Sequence, residues 1–122
     1  MRAQGEDTIQ AGIIDYLRLV LAPGDYVVFS IPNGARRSRA EAGIKQRTGM
    51  LAGVWDICIL GPGGATWWLE TKTDTGRLSA PQKAMQAFMA TCDVPHAVVR
   101  GIDDAAAAIK LWGLRTRLAR AA

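Results

Sequence analysis

The sequence predicts an α/β domain of three layers, with helices on both faces of a mixed, partly antiparallel sheet. Three observations point there: an amphipathic stripe ahead of residue 22, two strand-like runs joined by a glycine-proline turn between residues 54 and 72, and a helix start at Ser79. Helices and strands interspersed in this order suggest a sheet covered by helices on both faces. All 122 residues are assigned to one domain, because a chain of this length buries one core and not two.

The first element is a helix, since Ile9, Ile13, Tyr16, Leu17 and Val20 recur at helical spacing and Pro23-Gly24 closes the run. Glu6 lies on the same stripe, whereas Asp15 is half a turn out of phase and faces water. YVVFSI (Tyr26–Ile31) is a strand ended by Pro32-Asn33-Gly34, and residues 35–53 have no clear period, which fits a loop or a short helix. VWDICIL (Val54–Leu60) and TWWLETK (Thr66–Lys72) are two strands whose link, Gly61-Pro62-Gly63-Gly64, is short enough to make them antiparallel neighbours. In the second of them Trp68, Glu70 and Lys72 share one face, and Trp67, Leu69 and Thr71 the other.

Ser79-Ala80-Pro81-Gln82 has the form of a capping box with proline in the first turn, and Gln82, Met85, Phe88, Met89 and Cys92 then share one inward face. PHAVVR (Pro95–Arg100) is a fourth strand. Asp103 or Asp104 caps a last helix that turns Ala105, Ala108, Ile109 and Trp112 inward and carries Lys110, Arg115, Arg117 and Arg120 towards its C-terminal end. The predicted order is α-β-β-β-α-β-α.

With 49% hydrophobic and 21% charged residues the composition excludes global disorder. Cys58 and Cys92 lie in apolar runs without the paired spacing of a zinc site, so buried free thiols and a reducing cytoplasm are expected. Asp15 and Arg18 interrupt the apolar stretch Ile13–Ala22, so no targeting or membrane-spanning segment is expected. The net charge of +4 is uneven: residues 1–35 carry −2, residues 36–47 carry +4 through Arg36, Arg37, Arg39, Lys45 and Arg47 against Glu41, and the remainder carries +2. A concentrated basic segment in an otherwise balanced chain suggests a polyanionic partner.

The chemistry centres on the hairpin. Asp56 lies near the start of one strand and Glu70 near the end of the next, so antiparallel pairing brings both carboxylates to one end of the sheet. Carboxylates converging there suit a hard cation such as Mg²⁺, to which the Thr71 backbone carbonyl could add another oxygen. A cation so held polarises a phosphodiester and acidifies a water, while the neighbouring Lys72 ammonium orients that water and neutralises charge developing on phosphorus.

The D-x13-E-x-K pattern of Asp56, Glu70 and Lys72 resembles the PD-(D/E)xK nuclease signature. Its surroundings resemble the VRR-NUC branch: Glu6 on a first helix, IPNG at Ile31–Gly34, GMLAGVWDICI at Gly49–Ile59, LETK at Leu69–Lys72 and GRLSAPQ at Gly76–Gln82. The resemblance runs from Glu6 to about Asp104 and implies a restriction-endonuclease-like fold. It implies that Asp56 and Glu70 bind Mg²⁺ or Mn²⁺, that Lys72 activates or positions water, that Gln82 faces the site and that Glu6 completes it. Trp55 stands where this family often has proline, a departure that bears on the local turn. Stand-alone members resemble Holliday-junction resolvases acting as homodimers, which implies branched DNA as partner and a phage, prophage or bacterial source. Members with extra domains cut flap or crosslink-associated structures, and the 122 residues are expected to hold none of those domains. A non-cleaving DNA-binding accessory module of the same fold, a flap or linear-DNA repair nuclease and an RNA-directed nuclease are the alternatives.

Ordinary structural roles stand beside these. Glu70 and Lys72 could form only a same-face ion pair, and Glu6 could merely complement its helix N-terminus, an effect of roughly 0.3–1 kcal/mol. Gln82 could only return a hydrogen bond to Ser79. His96, the single histidine, is expected to be structural, and the basic cluster could be a solvated loop.

Overall fold

Helix α1 (Glu6–Val20) forms where the apolar stripe predicts it, with Glu6 and Asp7 in its first turn and Arg18 in its last, each complementing the helix dipole. Ile13 and Leu17 are fully buried while Asp15 is exposed. The helix stops at Leu21, whose backbone is extended. Arg18 then folds back and donates twice to the Val28 carbonyl, at 3.2 and 2.8 Å, fastening α1 to the first strand. The structure, a computed structural model, describes residues 5–32, 43 and 47–118.

Strands β1 (Val27–Ser30), β2 (Ile57–Leu60), β3 (Thr66–Thr71) and β4 (His96–Val99) form one sheet in the order β1-β2-β3-β4. The first two pairings are antiparallel and β3–β4 is parallel. A parallel join needs a crossover, which helix α2 (Ala80–Thr91) supplies, and helix α3 (Ile102–Leu111) follows β4. The β2–β3 turn is a short 3₁₀ segment, Pro62–Gly64, in which Gly63 (φ 70°) and Gly64 (φ 77°) take the left-handed backbone that glycine adopts freely.

The alternation of β2 and β3 divides the molecule into three layers. Ile57, Ile59 and Leu69 join Ile13, Leu17, Ala105 and Ile109 in a core between the sheet and the pair α1 and α3. Trp67 lies on that side, edge-on to Tyr26 at 6.0 Å, whereas Trp68 faces Met85, Phe88 and Met89 of α2 on the other. The mixed α/β architecture is thus the expected one. Among the described residues no helix is long and apolar enough to cross a membrane.

Several local expectations are corrected. Strand β2 starts at Ile57 and not Val54, because the next ladder donor, Thr71 N–H, goes to the Asp56 carboxylate at 3.1 Å. The cap of α3 is Gly101, not Asp103 or Asp104; the Asp104 carboxylate instead accepts the Arg100 backbone N–H at 2.8 Å. Helix α3 ends at Leu111, so Arg115 and Arg117 lie beyond it; Arg115 pairs with Asp25 at 3.1 Å and Arg117 donates to the Leu19 carbonyl. Cys58 is a buried free thiol, but Cys92 is exposed, and so is Phe88 at 64%. The buried residues of α2 are Gln82 and Met89, and Phe88 is one residue, about 100° of rotation, away from that line. Arg120 lies outside the described residues, as does most of the 35–53 segment before Arg47.

Leu17, 0% exposed and central to the core, should tolerate truncation poorly. Leu17→Ala is expected to lower unfolding free energy by about 2–5 kcal/mol in urea titration, through lost transfer energy and the cavity left behind.

Candidate active site

The β2–β3 register decides the geometry. Ile57 opposes Leu69, so Asp56 and Glu70 occupy the next pair of positions, facing each other on the α2 side of the sheet. Both are nearly inaccessible, Asp56 at 7% and Glu70 at 1%, and Lys72 is at 7%. Asp56 receives the Thr71 N–H on its two oxygens at 3.1 and 3.4 Å. Backbone N–H and C=O of an extended residue point to the same side of the strand, so the Thr71 carbonyl is directed towards the Asp56 side as well.

Glu70 is held through one oxygen. Its Oε2 accepts from Gln82 Nε2 at 2.9 Å and lies 3.5 Å from Lys72 Nζ. Its Oε1 is buried and accepts no hydrogen bond from any described residue. Glu6, exposed at the start of α1, reaches the same place: one carboxylate oxygen from each of Glu6, Asp56 and Glu70 lies within 4.8 Å of the others. The three acids line a cleft of about 620 Å³ together with Lys72 and Gln82.

Burial pushes the Asp56 carboxyl up to about 6; the Thr71 N–H opposes this, and the charge of Glu6 adds to it. Burial likewise raises Glu70 to about 7, reinforced by the Asp56 charge and opposed by Lys72. A buried oxygen without a donor, three converging acids and an all-oxygen ligand set fit a hard divalent cation well.

The Gln82 side chain reaches both the helix cap and Glu70. Its Oε1 accepts the Ser79 N–H at 2.9 Å while Ser79 Oγ accepts the Gln82 N–H at 3.3 Å, completing the capping box, and its Nε2 is left to hold Glu70. Glu6 similarly occupies a helix first turn and the acid cluster together. His96 is structural: Nδ1 lies 2.7 Å from the Val94 carbonyl and the ring stands edge-on to Trp55 at 5.3 Å. Of the basic cluster, Arg36, Arg37, Arg39 and Lys45 lie outside the described residues, and Arg47 is described and exposed. Gln10 and Ser30 also line the cleft and were not singled out from the sequence. Gln10 could have been, since it follows Glu6 by one helical turn.

The chain is an α/β protein, a four-stranded mixed sheet flanked by helices, with an acidic cluster and a lysine at the end of its central hairpin. The particular fold is that of VRR_NUC domain structures. One solved "VRR_NUC domain protein" is similar over 94% of this chain and 93% of its own, with a TM-score of 0.74 and 20% identity. A second solved chain, "VRR_NUC domain", is similar over 86% of this chain and 94% of its own, with a TM-score of 0.58 and 16% identity. No protein-family model matches the sequence, and no curated protein matches it.

The raised carboxyls fix the sign of the pH dependence. Folding holds extra protons on Asp56 between its ordinary 3.8 and about 6, and on Glu70 between 4.5 and about 7. Their stabilising protons are therefore present at low pH and lost as pH rises through those values. The metal-free protein is expected to melt at a higher temperature at pH 5.5 than at pH 8, and Mn²⁺ to raise the melting temperature more at pH 8, where it no longer competes with protons; scanning calorimetry at both pH values checks this.

Proposed function

We propose that the protein is a Mg²⁺- or Mn²⁺-dependent endodeoxyribonuclease, and specifically a Holliday-junction resolvase that works as a homodimer. The observation that carries the reading is the convergence of Glu6, Asp56 and Glu70 beside Lys72 within a VRR_NUC fold. Asp56 and Glu70 would hold the cation, with Glu6 and the Thr71 carbonyl as further oxygen donors. When bound, such a cation supplies Lewis-acid polarisation of the phosphodiester and acidifies a water.

The remaining roles belong to the chain's own groups. Lys72 Nζ, 3.5 Å from Glu70, orients the attacking water and offsets negative charge gathering on the phosphoryl oxygens. Gln82 fixes one Glu70 oxygen and leaves Oε1 without a hydrogen bond from the described residues, so Oε1 would be the oxygen available to hold the cation. Arg36, Arg37, Arg39, Lys45 and Arg47 contact DNA phosphates, which positions the duplex arms without reading their sequence. A two-fold dimer offers two sites to the two symmetry-related strands of a four-way junction.

The test is cleavage of a labelled four-way junction beside linear duplex, single strand, flap and RNA substrates, with Mg²⁺, Mn²⁺ or EDTA. Symmetric cuts confined to the junction and abolished by EDTA are expected. Cuts in flap, linear DNA or RNA would overturn the resolvase assignment, and binding without cleavage under every metal would overturn the nuclease assignment in favour of an accessory module. Lys72→Ala is expected to lower cleavage by at least about a hundredfold while fold and junction affinity stay near wild type, as gel shift and circular dichroism would show.

A further inference from the structure

Trp55 precedes the proposed metal ligand Asp56 and is 0% exposed, yet it is not the packing of its ring alone that matters. Its indole Nε1–H donates to the Gln82 carbonyl at 3.1 Å, across 27 residues of sequence and inside the protein. A buried indole N–H needs an acceptor, and this one sits in the first turn of α2. Two residues earlier, Gly53 has φ +90°, and a Cβ there would stand 2.4 Å from the Pro81 carbonyl oxygen and 2.5 Å from its carbon. Backbone and not a flexible side chain fills that space, so glycine is what lets the 53–55 segment lie directly on the α2 start. The segment before Asp56 therefore grips α2 at two successive residues, Pro81 and Gln82.

Gln82 is also the residue that α2 sends to Glu70, through Nε2 at 2.9 Å. Both ends of its side chain are engaged, Nε2 by Glu70 and Oε1 by the Ser79 N–H, so a shift of the helix start is passed on to Glu70. We infer that Trp55 is a positioning residue of the active site: with Gly53 it seats the first turn of α2 so that Gln82 holds Glu70 in register with Asp56. The effect on cleavage rests on the proposed nuclease function, while the seating itself does not. Trp55 touches no reacting group, and the contact that links its indole to the site is the Gln82 carbonyl. Trp55→Phe keeps an aromatic ring, though a smaller one, and removes the donor, and Gly53→Ala keeps the donor and wedges the same turn.

The experiment is a double-mutant cycle of Trp55→Phe and Gln82→Ala, read by kcat and KM on junction DNA, by Mn²⁺ calorimetry and by NMR of the Gln82 side-chain amide. Loss of an outer-shell partner of a ligand costs on the order of 10–100-fold, so Trp55→Phe is expected to lower kcat or Mn²⁺ affinity about tenfold with KM for DNA unchanged. In the Gln82→Ala background the same change should have less than about a twofold effect, since residues acting through one another are non-additive. The Gln82 amide resonances should shift and exchange faster in Trp55→Phe, while those of α1 and β1 stay in place. An equal loss in both backgrounds, or Gln82 resonances unmoved in Trp55→Phe and in Gly53→Ala, would overturn the inference. A wild-type protein that cuts no DNA would sink the nuclease reading alone, because the amide resonances report the seating without activity.

Discussion

Two carboxylates face each other at the end of the β2–β3 ladder, almost out of reach of water, and much of the neighbouring structure is arranged around that fact. Burial opposes the ionisation of both, and the charge of Glu6 at Asp56 and of Asp56 at Glu70 adds to it, so Asp56 is raised to about 6 and Glu70 to about 7. Keeping them charged costs on the order of a few kcal/mol, a sizeable share of the roughly 5–15 kcal/mol by which a domain is stable. A cluster that serves the fold alone would be better replaced by apolar side chains of similar size. Its place in a cleft fits the proposed cation site.

The elements around the pair each meet part of that cost or aim part of the chemistry. Asp56 takes the place of a strand in giving the Thr71 N–H an acceptor, so the ladder ends beside the carboxylate pair. Helix α1, anchored by its buried Ile13 and Leu17 and by the Arg18 bonds to Val28, brings Glu6 to the cluster from the opposite layer. Helix α2 brings Gln82, and the loop after Lys72 is held by Arg100, whose Nη1 donates to the carbonyls of Thr73 and Gly76 at 2.6 and 2.8 Å. The Lys72 N–H itself bonds the Val99 carbonyl at 3.0 Å, so the lysine is fixed to β4 at the point where it leaves the sheet.

The architecture and the acid–lysine set were legible because both rest on short-range pattern. The period-2 alternation through Trp67–Lys72, the GPGG turn and the Ser79–Gln82 box each specify geometry within a few residues, and the hairpin then forces Asp56 opposite Glu70. What the sequence could not show depended on tertiary contacts. The grip of Trp55 on Gln82 joins residues 27 apart, and no local spacing announces it. The early end of the β2 ladder follows from a side chain competing for a backbone donor. The exposure of Phe88 and Cys92 depends on how α2 is rotated on the sheet, which an apolar stripe defines only to within a residue.

The most direct test of the central claim is a crystal structure of the protein soaked in Mn²⁺, with the ion located by its anomalous scattering. The account predicts a peak coordinated by Asp56 and Glu70, using the Glu70 Oε1 that accepts no hydrogen bond from the described residues. Absence of density there at saturating Mn²⁺ and pH 8, or an ion bound only elsewhere on the surface, would contradict it.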